Sequence, residues 1–77
     1  MDDETFSLAL TEVLKQEIGQ KYKNIKQFSD ASGIAYMTIS NVLRRGAGNS
    51  SIVTISKMCK ALEISVEELF EKAEKLL

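Results

Sequence analysis

The amino-acid sequence predicts an all-α domain, a compact bundle of five helices with a helix-turn-helix at its centre. Apolar residues recur at helical spacing along the chain, and cap-forming residues and glycines separate the apolar stripes. The 77 residues make one domain, 1–77, in which helices with short connections are an economical way to bury a modest core.

The first helix is predicted over residues 3–18, where apolar residues follow steps of four, three, one and four positions. Gly19 interrupts this pattern, and residues 20–23 form a polar, lysine-rich connection. Its one large ring, Tyr22, either covers the edge of the core or donates a hydrogen bond to a phosphate.

The central stretch, residues 24–46, reads as two short helices joined by a tight turn. Asn24 is a good N-cap for a helix over residues 25–32, and Gln27 stands where a capping-box partner belongs. Gly33 can adopt a left-handed conformation and end that helix. The second of the two helices is predicted from Tyr36 to Arg45.

The second of these helices has two distinct sides. Ile39, Val42 and Leu43 fall on the side that can pack inward, and Met37, Asn41 and Arg44 fall on the opposite side, with Ser40 beside them. A helix with this outward set, braced by a short helix across a glycine turn, is the layout of a DNA-reading helix-turn-helix. The alternative is the polar outer face that any small helical protein has.

Residues 46–50, GAGNS, form a loop, which we expect to present backbone N–H groups and Arg45 to a DNA backbone. Ser51 caps a fourth helix over residues 52–62. Ser65 and Glu68 form a capping box that opens a last helix, which ends near residue 77. Val53 is expected to be partly exposed, and the inner stripe of the fourth helix comprises Ile52, Ile55, Met58, Cys59 and Leu62.

Charge is unevenly distributed along the chain. Residues 1–12 carry a formal charge of −4, residues 13–62 carry +6 and residues 63–77 carry −3. Phosphate contact needs a local basic surface more than a high overall pI, so the basic middle supports DNA binding despite the net charge of −1. With 21 charges, such segregation also arises by chance.

Composition narrows the classes of function. Cys59 is the one cysteine, so no internal disulfide can form, and the absence of histidine excludes histidine-based triads and histidine metal sites. We expect no cofactor, no metal site and no enzymatic activity. No apolar run approaches a membrane span and the MDDETF start is unlike a signal peptide, so we expect a cytoplasmic protein with no membrane partner.

Several local motifs agree with one known family. FSDASGI, TISNVLRRG, SIVTISKMCKALEIS and VEEL follow each other with the spacing of the lambda-repressor-like, XRE-type helix-turn-helix DNA-binding domains. The chain resembles this family over about residues 24–70, and it is most similar in character to short phage or mobile-element repressors. Ala35 stands where the family usually has a capping serine or threonine, Ile25 replaces a common glutamine, Lys23 replaces an apolar residue, and the loop after Arg45 is one residue longer.

The resemblance implies roles for individual residues. The base readers of the family match Tyr36, Met37 and Asn41, with Ser40 nearby. The amide of Asn41 can bond bidentately to an adenine edge, Met37 can pack on a thymine methyl, and Tyr36 either contacts a base or covers the core edge. The candidates for phosphate contact, which positions the helix without reading sequence, are Lys26, Thr38, Arg44 and Arg45.

These observations predict a sequence-specific regulator of double-stranded DNA, a repressor acting as a homodimer. The alternative is a protein-interaction module on the same fold, an antitoxin that neutralises a toxin or an anti-repressor, which the acidic ends favour. Ala73, Leu76 and Leu77 continue an apolar stripe beyond the expected body and are predicted to form the dimer interface, with Phe6 and Leu10 meeting them within one chain or across the dyad. The other possibility is that they seal the core of a monomer.

Overall fold

Five α-helices and one turn of 3₁₀-helix make up the protein in a computed structural model that describes residues 2–77. The predicted all-α fold with a central helix-turn-helix is confirmed. The helices are α1 (Asp3–Lys21), α2 (Ile25–Ser32), α3 (Tyr36–Arg45), α4 (Ile52–Ala61) and α5 (Val66–Lys75), and the 3₁₀ turn is Ala47–Asn49.

Helix α1 is longer than its apolar pattern predicts. It starts at an Asp2 cap, whose carboxylate accepts a hydrogen bond from the Thr5 N–H at 2.7 Å. The prediction that Gly19 ends the helix is wrong, because α1 continues through Gly19 to Lys21 and the Tyr22 N–H still donates to the Ile18 carbonyl oxygen. A glycine inside a helix costs about 0.5–1 kcal/mol, and the contacts that α1 makes elsewhere outweigh that cost.

The core lies between α1, which runs through the molecule, and the four other helices. Its centre is formed by side chains that are fully covered, and Tyr22 covers its edge, with the ring 5.2 Å from that of Phe28. Burial raises the pKa of the Cys59 thiol, as expected for a core residue. The largest fully covered side chains are Leu14, Phe28, Ile39, Met58, Cys59, Leu62 and Leu69.

Both helices after the loop have the predicted caps. The Ser51 hydroxyl accepts from the Thr54 N–H, and Ser65 and Glu68 form a complete capping box. Ile52 was expected in the inner stripe of α4 but is 63 % exposed, because the first turn of α4 lies at the surface together with Val53. The exposure of Val53 is confirmed.

The far end of α5 departs from the prediction in two ways. The helix ends at Lys75, with Leu76 as its cap, instead of continuing to residue 77. Ala73 is fully buried in the core of its own chain and has no side-chain surface left for a partner, so its assignment to a dimer interface was wrong. Phe6 meets this helix within one chain, with its ring edge-on to Phe70 at 5.3 Å.

A buried carboxylate ties α1 to α5. Glu17 is almost fully covered, and its two oxygens meet Lys21 Nζ at 3.3 Å and Lys72 Nζ at 3.0 Å. Lys21 also donates to the carbonyl oxygen of Leu62 at the end of α4. Burial raises the pKa of Glu17, but the hydrogen bonds and charges of Lys72 and Lys21 outweigh it and hold that pKa below its ordinary value.

Within residues 2–77, no helix combines the length and apolarity needed to cross a membrane.

Candidate nucleic-acid interface

The turn between α2 and α3 is held by its own side chains. Gly33 has a φ of 75°, the left-handed conformation predicted for it. The Ser29 hydroxyl donates to the Ile34 carbonyl oxygen at 2.6 Å, and the Ile34 N–H donates to the Ser32 hydroxyl at 3.2 Å. The angle between the two helices is therefore supported by two serines that the sequence analysis did not single out.

The start of α2 carries the predicted cap in a modified form. Asn24 accepts from the Gln27 N–H at 2.8 Å, as expected. The Gln27 side chain reaches back to the N–H of Lys23 and not to that of Asn24. The N–H groups around the start of α2 are thus partly satisfied by side chains of the same segment.

Helix α3 is anchored on one side and open on the other. Ile39 and Val42 are buried in the core, as predicted from the helical spacing. Ala35 provides no side-chain cap at the start of α3, which agrees with the expected loss of the serine or threonine cap. The helix is therefore positioned by its buried side and by the turn before it.

The predicted reading residues share the open side of α3. Tyr36 and Met37 are 48 % and 58 % exposed, so the structure places Tyr36 outward and not at the core edge. Ser40 and Asn41 follow one turn later and are half-buried. One apolar side chain, one phenol, one hydroxyl and one amide thus occupy the first two turns, where a helix entering a groove presents its side chains.

Asn41 has a partner within the helix. The Arg44 Nη2 atom donates to the Asn41 Oδ1 atom at 2.6 Å, and Arg44 is otherwise exposed. This is a charge-assisted hydrogen bond between side chains one turn apart.

Basic residues surround the open side of α3. A shallow groove of about 420 Å³ between α1, the start of α2 and α3 is lined by Lys15, Lys23 and Arg44 together with Ser40. Thr38 faces a second groove, between the turn and α4, with Lys57 and Lys60 on its wall. No carboxylate lines either groove among the described residues, so the charged side chains in both linings are cations, although most of the surface of the first groove is apolar.

Lys26 and Arg45, the other two predicted phosphate-binding cations, do not line these two grooves. Lys26 is exposed and lies 3.8 Å from Asp30, a surface pair that costs little to separate. Arg45 is exposed at the last position of α3, and its carbonyl oxygen accepts from the Asn49 side chain at 2.8 Å. Both cations can therefore turn toward a negatively charged partner.

The loop after α3 corrects one expectation. Its N–H groups were expected to face a DNA backbone, but the N–H of Ala47 donates to Thr11 Oγ1 and that of Gly48 to Ser7 Oγ, both at 2.8 Å. The N–H groups of Asn49 and Ser50 are bonded within the loop. The N–H groups of Ala47 and Gly48 therefore attach the loop to α1.

Ser7 and Thr11 are the site-supporting residues that the sequence analysis missed. They lie four residues apart on α1, and the Thr11 hydroxyl also donates to the Ser7 carbonyl oxygen at 2.7 Å. Their partners lie 41 and 36 residues further along the chain. The signal in the sequence that could have indicated this role is that Ser7 and Thr11 are small polar residues among the apolar residues of α1.

Leu76 and Leu77, the remaining candidates for a dimer interface, are about half-exposed. They line a broad groove with Leu8, which is 62 % exposed on α1 and was not predicted to matter. No cluster of three or more histidine, cysteine or acidic side chains that could hold a metal occurs in residues 2–77.

In this helix-turn-helix, one side of the second helix is buried in the core and the other side is exposed. This arrangement is typical of DNA-binding domains that read a groove of DNA with one helix. The family model of the Cro/C1-type helix-turn-helix DNA-binding domain matches residues 13–73, and the chain belongs to this family. The resemblance stated from the sequence motifs is confirmed. No curated protein and no solved structure matches the chain at a significant level.

Proposed function

We propose that this Cro/C1-type domain is a sequence-specific transcriptional regulator that inserts α3 into the major groove of double-stranded DNA. The observation that carries the proposal is the open side of α3, where exposed Tyr36 and Met37 are followed by Ser40 and Asn41. The lysine and arginine side chains that line the two neighbouring grooves support it, because phosphate contacts position a reading helix.

Each reading residue has a chemical role in this proposal. Asn41 bonds the N6 and N7 atoms of an adenine, Met37 packs on a thymine methyl, and Tyr36 and Ser40 offer hydroxyl groups to bases or sugars. Lys26, Thr38, Arg44 and Arg45 contact phosphates. We infer that regulation is by repression, in the manner of phage or mobile-element repressors, because a module bound in the major groove at a promoter blocks access to that DNA.

Selection of binding sites from random double-stranded DNA tests the proposal. The wild type should yield one preferred motif, and Asn41→Ala should weaken binding to it by about 1–3 kcal/mol and relax the preference at one base pair. Gln16→Ala removes an amide from the exposed side of α1 and serves as the control, with an unchanged profile expected. Selection that returns no motif from the wild type would refute the proposal.

Repression is tested with a reporter. A promoter that overlaps the selected motif should lose expression when the protein is present, and the Asn41→Ala variant should restore it. Increased expression would show that the regulator is an activator instead.

We also propose that two copies act together as a homodimer. A single module covers one half-site, and a two-fold dimer presents two reading helices about 34 Å apart, one turn of DNA. The groove that carries Leu8, Leu76 and Leu77 supports this proposal, because it leaves three large apolar side chains exposed on one side of the chain.

A second function is favoured by a different surface. Ile52 and Val53 are adjacent, apolar and more than half exposed at the start of α4. Such a pair, with the acidic ends of the chain, suits a module that binds a protein, a toxin or another repressor. Val53→Glu separates the two functions, since it should leave DNA selection unchanged and abolish binding of a protein partner.

A further inference from the structure

The hydrogen bond between Arg44 and Asn41 joins a phosphate candidate to a base-reading candidate. The two residues are three positions apart on α3 and therefore lie on the same side of the helix. The distance from Arg44 Nη2 to Asn41 Oδ1 is 2.6 Å. Both Arg44 and the next residue, Arg45, line the groove beside the start of α1, but the Arg45 side chain donates no hydrogen bond within residues 2–77. The two adjacent arginines therefore differ in one respect, the hydrogen bond that Arg44 donates to Asn41.

This bond constrains the Asn41 amide. An unconstrained carboxamide can rotate so that either its oxygen or its NH₂ group faces a given base atom. The Arg44 guanidinium holds the oxygen toward the end of α3 and uses one of its two lone pairs. One lone pair of the Asn41 oxygen and both N–H donors of its NH₂ group remain free. Because the oxygen is held in place, the acceptor and the donors face a base in a fixed order along the helix.

We propose that Arg44 is a specificity-determining residue that positions Asn41, in addition to any phosphate contact that its charge makes. The inference rests on the proposed function, since it concerns how α3 reads a base. With the amide held in one orientation, its oxygen can accept from the N6 amino group of adenine while its NH₂ group donates to adenine N7. A freely rotating amide would also turn its NH₂ group to guanine O6 or thymine O4, both of which are acceptors.

The chemistry of arginine permits both roles at once. A guanidinium has five N–H donors in a rigid planar fork, so one bond to Asn41 leaves four for a phosphate. Removing Arg44 should therefore have two separable effects, a uniform loss of affinity and a loss of discrimination at one base pair. Removing Arg45 should have the first effect alone.

The experiment measures binding to the selected site and to its three variants at the base pair that Asn41→Ala identifies. The proteins are the wild type, Asn41→Ala, Arg44→Met, Arg45→Met and the double variant Asn41→Ala/Arg44→Met. Methionine keeps a long stem and a good helix propensity but has no N–H donor. Each measurement is repeated over a range of salt concentrations.

Both arginine variants should reduce the slope of log affinity against log salt by about 0.9 for each phosphate that the protein no longer neutralises. Arg44→Met should also reduce discrimination at the Asn41 base pair, within the roughly 5- to 140-fold range of a bidentate base contact. Arg45→Met should leave that discrimination unchanged. In the Asn41→Ala background, Arg44→Met should reduce affinity for all four sites alike.

Three results would overturn the inference. If Arg44→Met weakens all four sites equally in the wild-type background, Arg44 contacts only the backbone. If Arg44→Met changes the preference in the Asn41→Ala background as well, Arg44 reads a base directly. A wild type that shows no sequence preference would overturn the proposed function, and with it this inference.

Discussion

At the scale of single residues, the backbone at Glu63 is the least expected feature. Glu63 has a φ of 61°, in the left-handed region that favours glycine. The Glu63 N–H donates to the Lys60 carbonyl oxygen and the Ile64 N–H to that of Cys59, which is the Schellman arrangement at the end of α4. A residue with a Cβ atom is strained in this conformation.

Glu63→Gly should therefore stabilise the protein, by about 0.5–1 kcal/mol, since relief of the strain exceeds the added entropy of the unfolded chain. Urea unfolding measures the change. Glu63→Ala is the control, because alanine keeps the Cβ atom and should give no comparable gain. Equal stabilisation by both variants would show that the glutamate side chain, and not the backbone, is the unfavourable element.

Residues whose role depends on nearby positions could be predicted from the sequence, and residues whose role depends on distant ones could not. Asn24, Gly33, Ser51 and Ser65 act within three or four residues of their partners, and the structure confirms each of these caps or turns. The exposure of Ile52 depends on which helices lie over the first turn of α4, so its apolar character alone was misleading.

At the scale of elements, α1 and the loop after α3 form one unit. The hydroxyl oxygens of Ser7 and Thr11 accept hydrogen bonds from the N–H groups of Gly48 and Ala47. These bonds fix the segment that follows Arg45. The approach is close, since a Cβ atom on Gly48 would lie 2.7 Å from Ser7 Oγ and 2.8 Å from Ser7 Cβ. The local sequence GAGNS predicted a loop but not its attachment, because the partners belong to another helix.

Gly48→Ala should destabilise the protein by about 1–3 kcal/mol, because α1 and the loop would have to separate. Gly19→Ala is the matched control inside α1, where an added Cβ atom meets no atom within 4 Å, and should stabilise by about 0.5–1 kcal/mol. Thermal unfolding of both variants checks the prediction. If both changes are stabilising, the loop is not packed on α1 as described.

At the scale of the whole molecule, Glu17 connects α1 with α5 and, through Lys21, with the end of α4. In the sequence, Glu17 stands three residues after Leu14 and directly before Ile18, and this spacing indicates no partner for it. The five-helix architecture itself was predictable, because it follows from periodicity and caps. The cross-links between its first and last helices were not, because they join residues as far as 55 positions apart.

Stability should depend on pH through Glu17. Its folded pKa lies below the ordinary value of 4.5, so its contribution is complete above that pH and is lost as the pH falls through the lowered pKa. Glu17→Gln should cost about 1–3 kcal/mol at neutral pH, since hydrogen bonds to a charged group are removed. Urea unfolding of both proteins should show this difference shrinking at pH values below 4.5. A difference that is constant with pH would show that the carboxylate charge contributes nothing.

Assembly is the second property of the whole molecule that can be tested. The proposed dimer predicts that the sedimentation coefficient of the wild type rises with concentration. The Leu76→Glu/Leu77→Glu double variant should remain monomeric and bind a two-half-site operator more weakly. Val53→Glu places the same charge on an exposed apolar residue of α4 and should behave like the wild type. A monomeric wild type whose double variant binds the operator equally well would contradict the dimer.

The order in which ribosomes make this chain gives the cross-link between Glu17 and Lys72 a further consequence. The two residues lie 55 positions apart, so at 5–20 residues per second roughly 3–11 s pass between their synthesis. During that interval the apolar side of α1, with Leu10, Val13 and Leu14, has been made while its α5 partners have not. The apolar side of α1 is therefore exposed to water until α5 has been made, and the core is closed by the last helix of the chain to be synthesised.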